Sequence, residues 1–190
     1  MLDKSIKYYD VIMKRGINTY IPKPLLPYEF KFSFFKLGDE KSWAEIETSV
    51  GEFDDVNYAL KYFEENYIKN LDMLERRCLF VENREGIKVA TITNWWNFTK
   101  LRRDPWIHWM AVHPKYQGLG LGKAIVFKVM NNLKEIEGDR DVYLHTQTWS
   151  YKAINIYKKA GFNITSEQGL GGYENNSNEN ALLILEKYIG

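Results

Sequence analysis

From Tyr28 to Leu37 apolar and polar residues alternate, with Phe30, Phe32 and Phe34 set against Lys31 and Ser33. A period of two predicts a half-buried strand, and Gly38 and Asp39 end it. The period then lengthens. Residues 40–50 read as a helix and 55–68 as a second one, with Val56, Ala59, Leu60, Phe63 and Tyr67 on one face and Asp54 or Asp55 as its cap. A strand around 78–82, a turn over 83–86 and a longer strand from Ile87 to about Trp96 form a hairpin. A strand over 106–112 leads through a glycine-rich turn into a helix reaching about Glu137, where Ile125, Val129, Leu133 and Ile136 keep helical spacing. Residues 142–148 read as a strand, and Ser150 opens a short helix that Gly161 closes. Residues 162–165 and 181–189 read as two last strands. The fold class is therefore α/β, a mixed and mostly antiparallel central sheet covered by helices, with one helical crossover late in the chain.

Pro22, Pro24 and Pro27 break any helix between residues 16 and 27 and make that stretch an extended connector. It sets residues 1–27 apart as an N-terminal arm or strand, appended to a single domain over 28–190. The polar, glycine-rich run GLGGYENNSNEN, residues 169–180, reads as a mobile loop.

Composition narrows the function. Among 190 residues, 26 Lys and Arg against 25 Asp and Glu leave a formal charge of +1, which argues against a nucleic-acid partner. One cysteine, Cys78, rules out an intramolecular disulfide and a multi-Cys zinc cage, and no metal is expected. With no long apolar run and no apolar core in MLDKSIKYYD, the expectation is a soluble, cytoplasmic protein without membrane contact. Aromatic residues make up 15%, enough to suggest a surface that handles something flat or apolar, or a tyrosine-rich core.

The segment HPKYQGLGLGKA, 113–124, carries the clearest chemistry. Gly118, Gly120 and Gly122 let the backbone approach a ligand, and the helix that follows presents free N–H groups and its positive dipole end. A phosphate or pyrophosphate is the natural occupant; tight packing alone is the other reading. A nucleotide P-loop fails, because Ala124 follows Gly122-Lys123 and Gln117 stands where the first glycine belongs. A dinucleotide fingerprint fails on spacing and on its place late in the chain.

Gln117-Gly-Leu-Gly120-Leu-Gly122 is similar to the (Q/R)-x-x-G-x-(G/A) motif of the GNAT superfamily of acetyl-CoA-dependent acyltransferases, and Met110-Ala-Val-His-Pro looks like the strand that feeds it. Ser150-Tyr-Lys-Ala-Ile-Asn-Ile-Tyr157-Lys-Lys-Ala-Gly161-Phe162 resembles the second signature, N-x-x-A-x-x-x-Y-x-x-x-G-F. The resemblance runs from about Tyr28 to the C-terminus. It implies transfer of acetyl from acetyl-CoA to a primary amine by direct attack through a tetrahedral intermediate. By the same resemblance the pyrophosphate rests on the amides of Gln117, Gly118, Leu119, Gly120, Leu121, Gly122 and Lys123. The pantetheine arm lies along Met110, Ala111 and Val112, and the N–H near Met110 stabilises the oxyanion. Tyr157 matches the tyrosine that protonates the departing thiolate, a role its spacing to Ala153 and Gly161 favours over that of a packing tyrosine on the face of Ala153 and Ile154. His108 corresponds to a base in the arylalkylamine branch, against a plain reading as a histidine packed among Trp106 and Trp109. Strict alternation would put His108 and Met110 on one face. His145 and Glu82 are weaker base candidates. Ser150 replaces the family's Asn; it caps a helix as well, while its contact to pantetheine would be shorter or lost.

The acceptor pocket is expected from the two early helices, the connection after Trp96 and the final hairpin, with Trp43, Phe53, Trp95, Trp96, Phe98 and Tyr173 available. Arg102 and Arg103 read as a solvated turn or a phosphate contact. Cys78 lies outside both motifs, which favours direct attack over a covalent enzyme intermediate. The expected acceptor is a small-molecule amine or a protein N-terminus or Lys, handled by a monomer or homodimer. Alternatives are another acyl-CoA, a hydroxyl acceptor, or an acetyl-CoA sensor without activity.

Overall fold

The alternating and apolar runs assemble into one sheet. In the computed structural model, which describes residues 2–189, the strands are β1 (Asp10–Arg15), β2 (Lys31–Phe34), β3 (Cys78–Glu82), β4 (Lys88–Thr99), β5 (Arg102–Val112), β6 (Val142–Gln147) and β7 (Asn163–Ile164). The helices are α1 (Glu40–Val50), α2 (Val56–Asn66), α3 (Leu71–Arg77), α4 (Leu121–Glu137), α5 (Tyr151–Lys159) and α6 (Asn178–Leu185). The strand order is β2-β3-β4-β5-β6-β1-β7, and every pair is antiparallel except β5 with β6. Helix α4 is the crossover that makes that one parallel pair.

Each face of the sheet buries its own apolar layer. Ile125, Val129 and Leu133 of α4 pack with Val81, Ile92, Leu144 and Ile154 on one side. Trp43, Phe63 and Leu74 from α1 to α3 pack with Phe80 and Trp95 on the other. Asp55 caps α2 by accepting from the Tyr58 N–H at 2.9 Å. Glu137, at the end of α4, gathers Arg77, Arg103 and Arg140 at 2.8, 2.8 and 3.0 Å, so Arg103 is held in an ion cluster and is no free turn residue.

Four expectations change. The N-terminal strand is no appendage: β1 pairs with β6 from Asp10–Gln147 to Arg15–Val142 and with β7 on its other edge. Val11, Ile12 and Met13 are all buried, a continuous apolar run that fits a strand covered on both faces. Residues 181–189, expected as a strand, instead lie mostly in α6, with Ala181 and Leu185 buried one turn apart. A short apolar run of Ala, Leu and Ile carries no period that separates strand from helix, and Ala and Leu favour the helix. Helix α3 occupies a stretch for which no element was expected. The loop over 169–180 is pinned: buried Asn175 donates to the Thr165 carbonyl at 2.6 Å and its N–H to Gln168 Oε1 at 3.0 Å.

Candidate functional site

A defect in β5 positions the site. Trp109 has φ of 51°. The β4–β5 register slips between the Thr91–Ala111 and Thr93–His108 pairs, so two residues of β5 stand opposite Ile92. Such a β-bulge bends its strand. On the other edge β5 pairs with β6 only at Trp106–Tyr143 and Ile107–Leu144. Past Ile107 the two parallel strands part.

The bulge also overturns the expectation that His108 and Met110 share a face. Met110 packs against the α4 side of the sheet with Val112, whereas His108 Nδ1 lies 2.8 Å from the Tyr67 hydroxyl on the α1–α2 side. One extra residue shifts a period of two by one, and residue types alone do not announce it.

Two cavities follow the gap. One, of about 550 Å³, is lined by Met110, Ala111, Val112, Gln117, Gly118, Gly120, Leu121, Gly122, Lys123 and Ser150. Leu119 is exposed beside it and outside its wall. Gly118 and Gly120 have φ of 82° and 80°, and a Cβ on either would stand in open space. The left-handed backbone suits glycine, and the empty space is what a ligand lying on these amides requires. Gln117 braces the turn, donating through Nε2 to the Val112 carbonyl at 2.9 Å. Lys152 and Lys159 of α5 join the same wall. Their spacing of seven, on the stripe of Ala153 and Ile156, was readable in the sequence as a basic edge of that helix. Glycine amides, a helix N-terminus and these lysines fit a pyrophosphate, and the unpaired edge of β5 fits an amide-bearing arm.

The second cavity, of about 330 Å³, contains His108, Tyr157, Glu47, Tyr62, Trp109, His145 and Tyr173 in its wall, and it shares Leu2, Glu52, Met110, Ser150 and Ala153 with the first. Tyr157 is 6% exposed. Burial first, then the charges of Glu47 and Glu52, hold its phenol above the ordinary tyrosine range. Its carbonyl accepts from the Phe162 N–H at 3.0 Å, which fixes this end of α5. Burial, and then the nearby His145, pull the His108 imidazole down to about 4, so it is neutral near pH 7. His145 lies 2.8 Å from Asp10 Oδ1 and stacks on Tyr173 at 4.3 Å. Ser150 stands at the start of α5 without a side-chain bond to the helix amides, contrary to the capping role expected of it.

Other candidates fall away from the gap. Glu82 sits between Lys31 and Lys88, each at 3.1 Å, outside both walls. Cys78 is fully buried and its thiol is pushed up to about 12 by that burial. Trp95 and Trp96 stack on each other at 4.1 Å, with Arg77 and Arg103 over Trp96, and neither is in the wall of these two cavities. Trp43 and Phe53 form the layer behind Trp109 at 5.7 and 5.1 Å. Of the aromatic residues proposed for the acceptor pocket, Tyr173 is in the wall.

Sequence reasoning passed over Glu47, Glu52, Tyr62 and the N-terminal segment. Tyr8 lines the second cavity, and Asp3, Lys7 and Tyr9 are stitched to residues 148–149 by hydrogen bonds. A signal for Glu47 was present. Trp43, Ile46, Glu47 and Val50 occupy one helical stripe, and a carboxylate in a buried stripe asks for a reason. Among the described residues no cluster of His, Cys, Asp and Glu suited to a metal occurs, and no helix is long and apolar enough to cross a membrane.

A family model for the acetyltransferase (GNAT) family matches residues 41–162. The chain belongs to that family. An N-alpha-acetyltransferase from Sulfurisphaera tokodaii is 34% identical over 73 residues, 35% of this chain and 44% of that relative, so the match spans less than half of the relative's length. The fold is similar to a GCN5-related N-acetyltransferase from Sphaerobacter thermophilus, with a TM-score of 0.66 at 20% identity over 82% of this chain and 48% of that one. It is also similar to a predicted acetyltransferase from Clostridium acetobutylicum solved with acetyl-CoA, with a TM-score of 0.55 at 19% identity over 73% of this chain and 92% of that one.

Proposed function

We propose that the protein moves an acetyl group from acetyl-CoA to a primary amine by direct attack. One observation carries this reading: the glycine-turn cavity and the acid and aromatic cavity meet along Leu2, Glu52, Met110, Ser150 and Ala153. A thioester entering along the first would present its carbonyl to a nucleophile held in the second. Acetyl-CoA supplies the activated acyl group. The amides from Gln117 to Lys123 hold its pyrophosphate, and the β5 edge at Met110 and Val112 pairs with its arm. The Met110 N–H, in the bulge, donates to the carbonyl oxygen as charge builds there. Tyr157 gives its proton to the leaving sulfur; burial keeps that phenol protonated until a thiolate needs it. His108, linked to Tyr67 and too weak a base to keep a proton near pH 7, passes the proton that the amine loses on attack towards solvent.

The archaeal relative favours a second reading for the acceptor, a protein N-terminus rather than a small amine. Release of free thiol from acetyl-CoA, followed over a panel of amines and short peptides, tests the activity and separates the two acceptors. A protein that binds CoA and releases no thiol with any of them would be a sensor. Tyr157→Phe is expected to lower kcat by about 100-fold with CoA affinity unchanged; unaltered turnover would remove the acid role.

A further inference from the structure

Glu47 is 1% exposed, lines the acceptor cavity, and its Oε1 has no hydrogen-bond partner. Among the described residues no Lys, Arg or His forms an ion pair with it. A carboxylate in that setting is costly unless something positive reaches it. Burial, and next the charge of Glu52, already push it well above the usual carboxylate range. Glu52 is at the cavity mouth, its carboxylate turned to Gln147 Nε2 at 3.2 Å. The cationic groups nearby do not answer Glu47: His145 is engaged with Asp10, and the Lys4 ammonium lies over the Trp149 ring at 5.6 Å. The walls add Tyr62 and Trp109, packed edge to face with ring centroids at 5.2 Å, an aromatic lining that suits a cation.

We propose that the acceptor is a small amine bearing a second, positively charged nitrogen, and that Glu47 is the residue that selects it. This rests on the transferase reading above. The reacting nitrogen has to be uncharged when it attacks, and it ends as a neutral amide. It cannot remain the partner of a buried carboxylate through the reaction. A second ammonium group can, and it keeps its charge from binding to product release. A cavity of about 330 Å³ accommodates a short diamine. A carboxylate on the acceptor would face both Glu47 and Glu52 and be repelled.

The full chain, with acetyl-CoA and thiol release as readout, is given 1,4-diaminobutane, butylamine, 4-aminobutanoate and a short peptide with a free N-terminus. The diamine is expected to exceed butylamine by at least ~10-fold in kcat/KM, the gain of one well-placed charge pair, with 4-aminobutanoate lowest. Glu47→Gln should erase the diamine's advantage with CoA affinity unchanged. Because burial resists the ionised carboxyl that the unfolded chain carries near pH 7, Glu47→Gln should also raise the melting temperature of the free protein at that pH, which a hydrogen-bonded structural carboxylate would not do. Glu52→Gln should lower the diamine preference less. Butylamine or the peptide matching the diamine, or a Glu47→Gln variant that retains the preference, would overturn the proposal. Tetramethylammonium binding, followed by calorimetry, judges Glu47 without turnover. If no amine yields thiol, the transferase reading fails, while Glu47-dependent binding of that ion still supports the cation site and its absence refutes it.

Discussion

The two cavities that meet at Met110 are built from opposite materials. The cofactor side is made of backbone: glycines at positive φ, the start of α4, and the edge of a bulged strand. Its chemistry depends first on where amides point, with Lys152 and Lys159 adding charge at the rim and the glycines keeping the space clear. The acceptor side is made of side chains drawn from α1, the α1–α2 connection, β5, β6 and the N-terminal segment. Its chemistry depends on which charge or ring each residue supplies. A backbone site tolerates change in everything except conformation, whereas a side-chain site can take a different partner with each substitution. On the function proposed above, one fold can therefore hold the acyl donor constant while the acceptor varies.

The largest test of this division is Gly120→Val. Gly120 holds φ of 80° at the N-cap of α4, and a side chain there would project into the space open to ligand. The left-handed backbone alone costs about 1–2 kcal/mol. CoA affinity measured by calorimetry should fall by about 100-fold, roughly 2.7 kcal/mol. Tetramethylammonium binding should stay within about twofold. An equal loss on both sides would break the comparison.

Gly171→Ala probes the acceptor side. Gly171 has φ of 59°, its N–H donates to Thr99 Oγ1 at 2.9 Å, and an added Cβ would lie 2.3 Å from Cζ2 of Trp106. Trp106 is fully buried and stacked on Tyr143 at 5.7 Å, so it has little room to give. Strain plus overpacking should reduce stability by about 3 kcal/mol in chemical denaturation. The displaced loop carries Tyr173, so KM for the amine should rise while CoA affinity holds.

A pH series sharpens the same contrast. With the His108 imidazole held at about 4, below the usual histidine value, the unfolded chain binds this proton more readily than the folded one. Stability from this group is complete above pH ~6.5 and is lost as pH falls from there towards 4, by on the order of 3 kcal/mol. His108→Gln should flatten that part of the curve. CoA affinity over the same pH range should not follow His108, which is absent from the cofactor wall.

What the sequence made legible divides along the same line. Glycine spacing at 118–122 and the Ser150–Phe162 signature are local, so the turn, both flanking helices and the parallel crossover could be read directly. The acceptor cavity is assembled from residues as distant as Tyr8, Glu47 and Tyr173, brought together by packing that no local period encodes. The Trp109 bulge is the sharpest case, since one inserted residue moved His108 to the face away from Met110. The misread strand at 181–189 failed for a simpler reason, because a short apolar run fits helix and strand alike. Among the missed residues, Glu47 carried its own signal, a charge inside an apolar stripe, as Lys152 and Lys159 did by their spacing on α5.

The smallest expected effect falls where the two sides join. Ser150 lines both cavities and makes no side-chain bond to the α5 amides, so the family's usual Asn at this position would gain reach without costing the helix a cap. Ser150→Asn should therefore leave stability within about 0.5 kcal/mol. A longer amide that reaches the pantetheine arm would tighten CoA by under about threefold, the scale of one exposed hydrogen bond. The same extra atoms would narrow the junction at Met110, so the diamine KM should rise slightly as CoA Kd falls. Parallel calorimetry and kinetics check the pair of signs. If both constants moved in the same direction, Ser150 would belong to one cavity rather than to the wall between them.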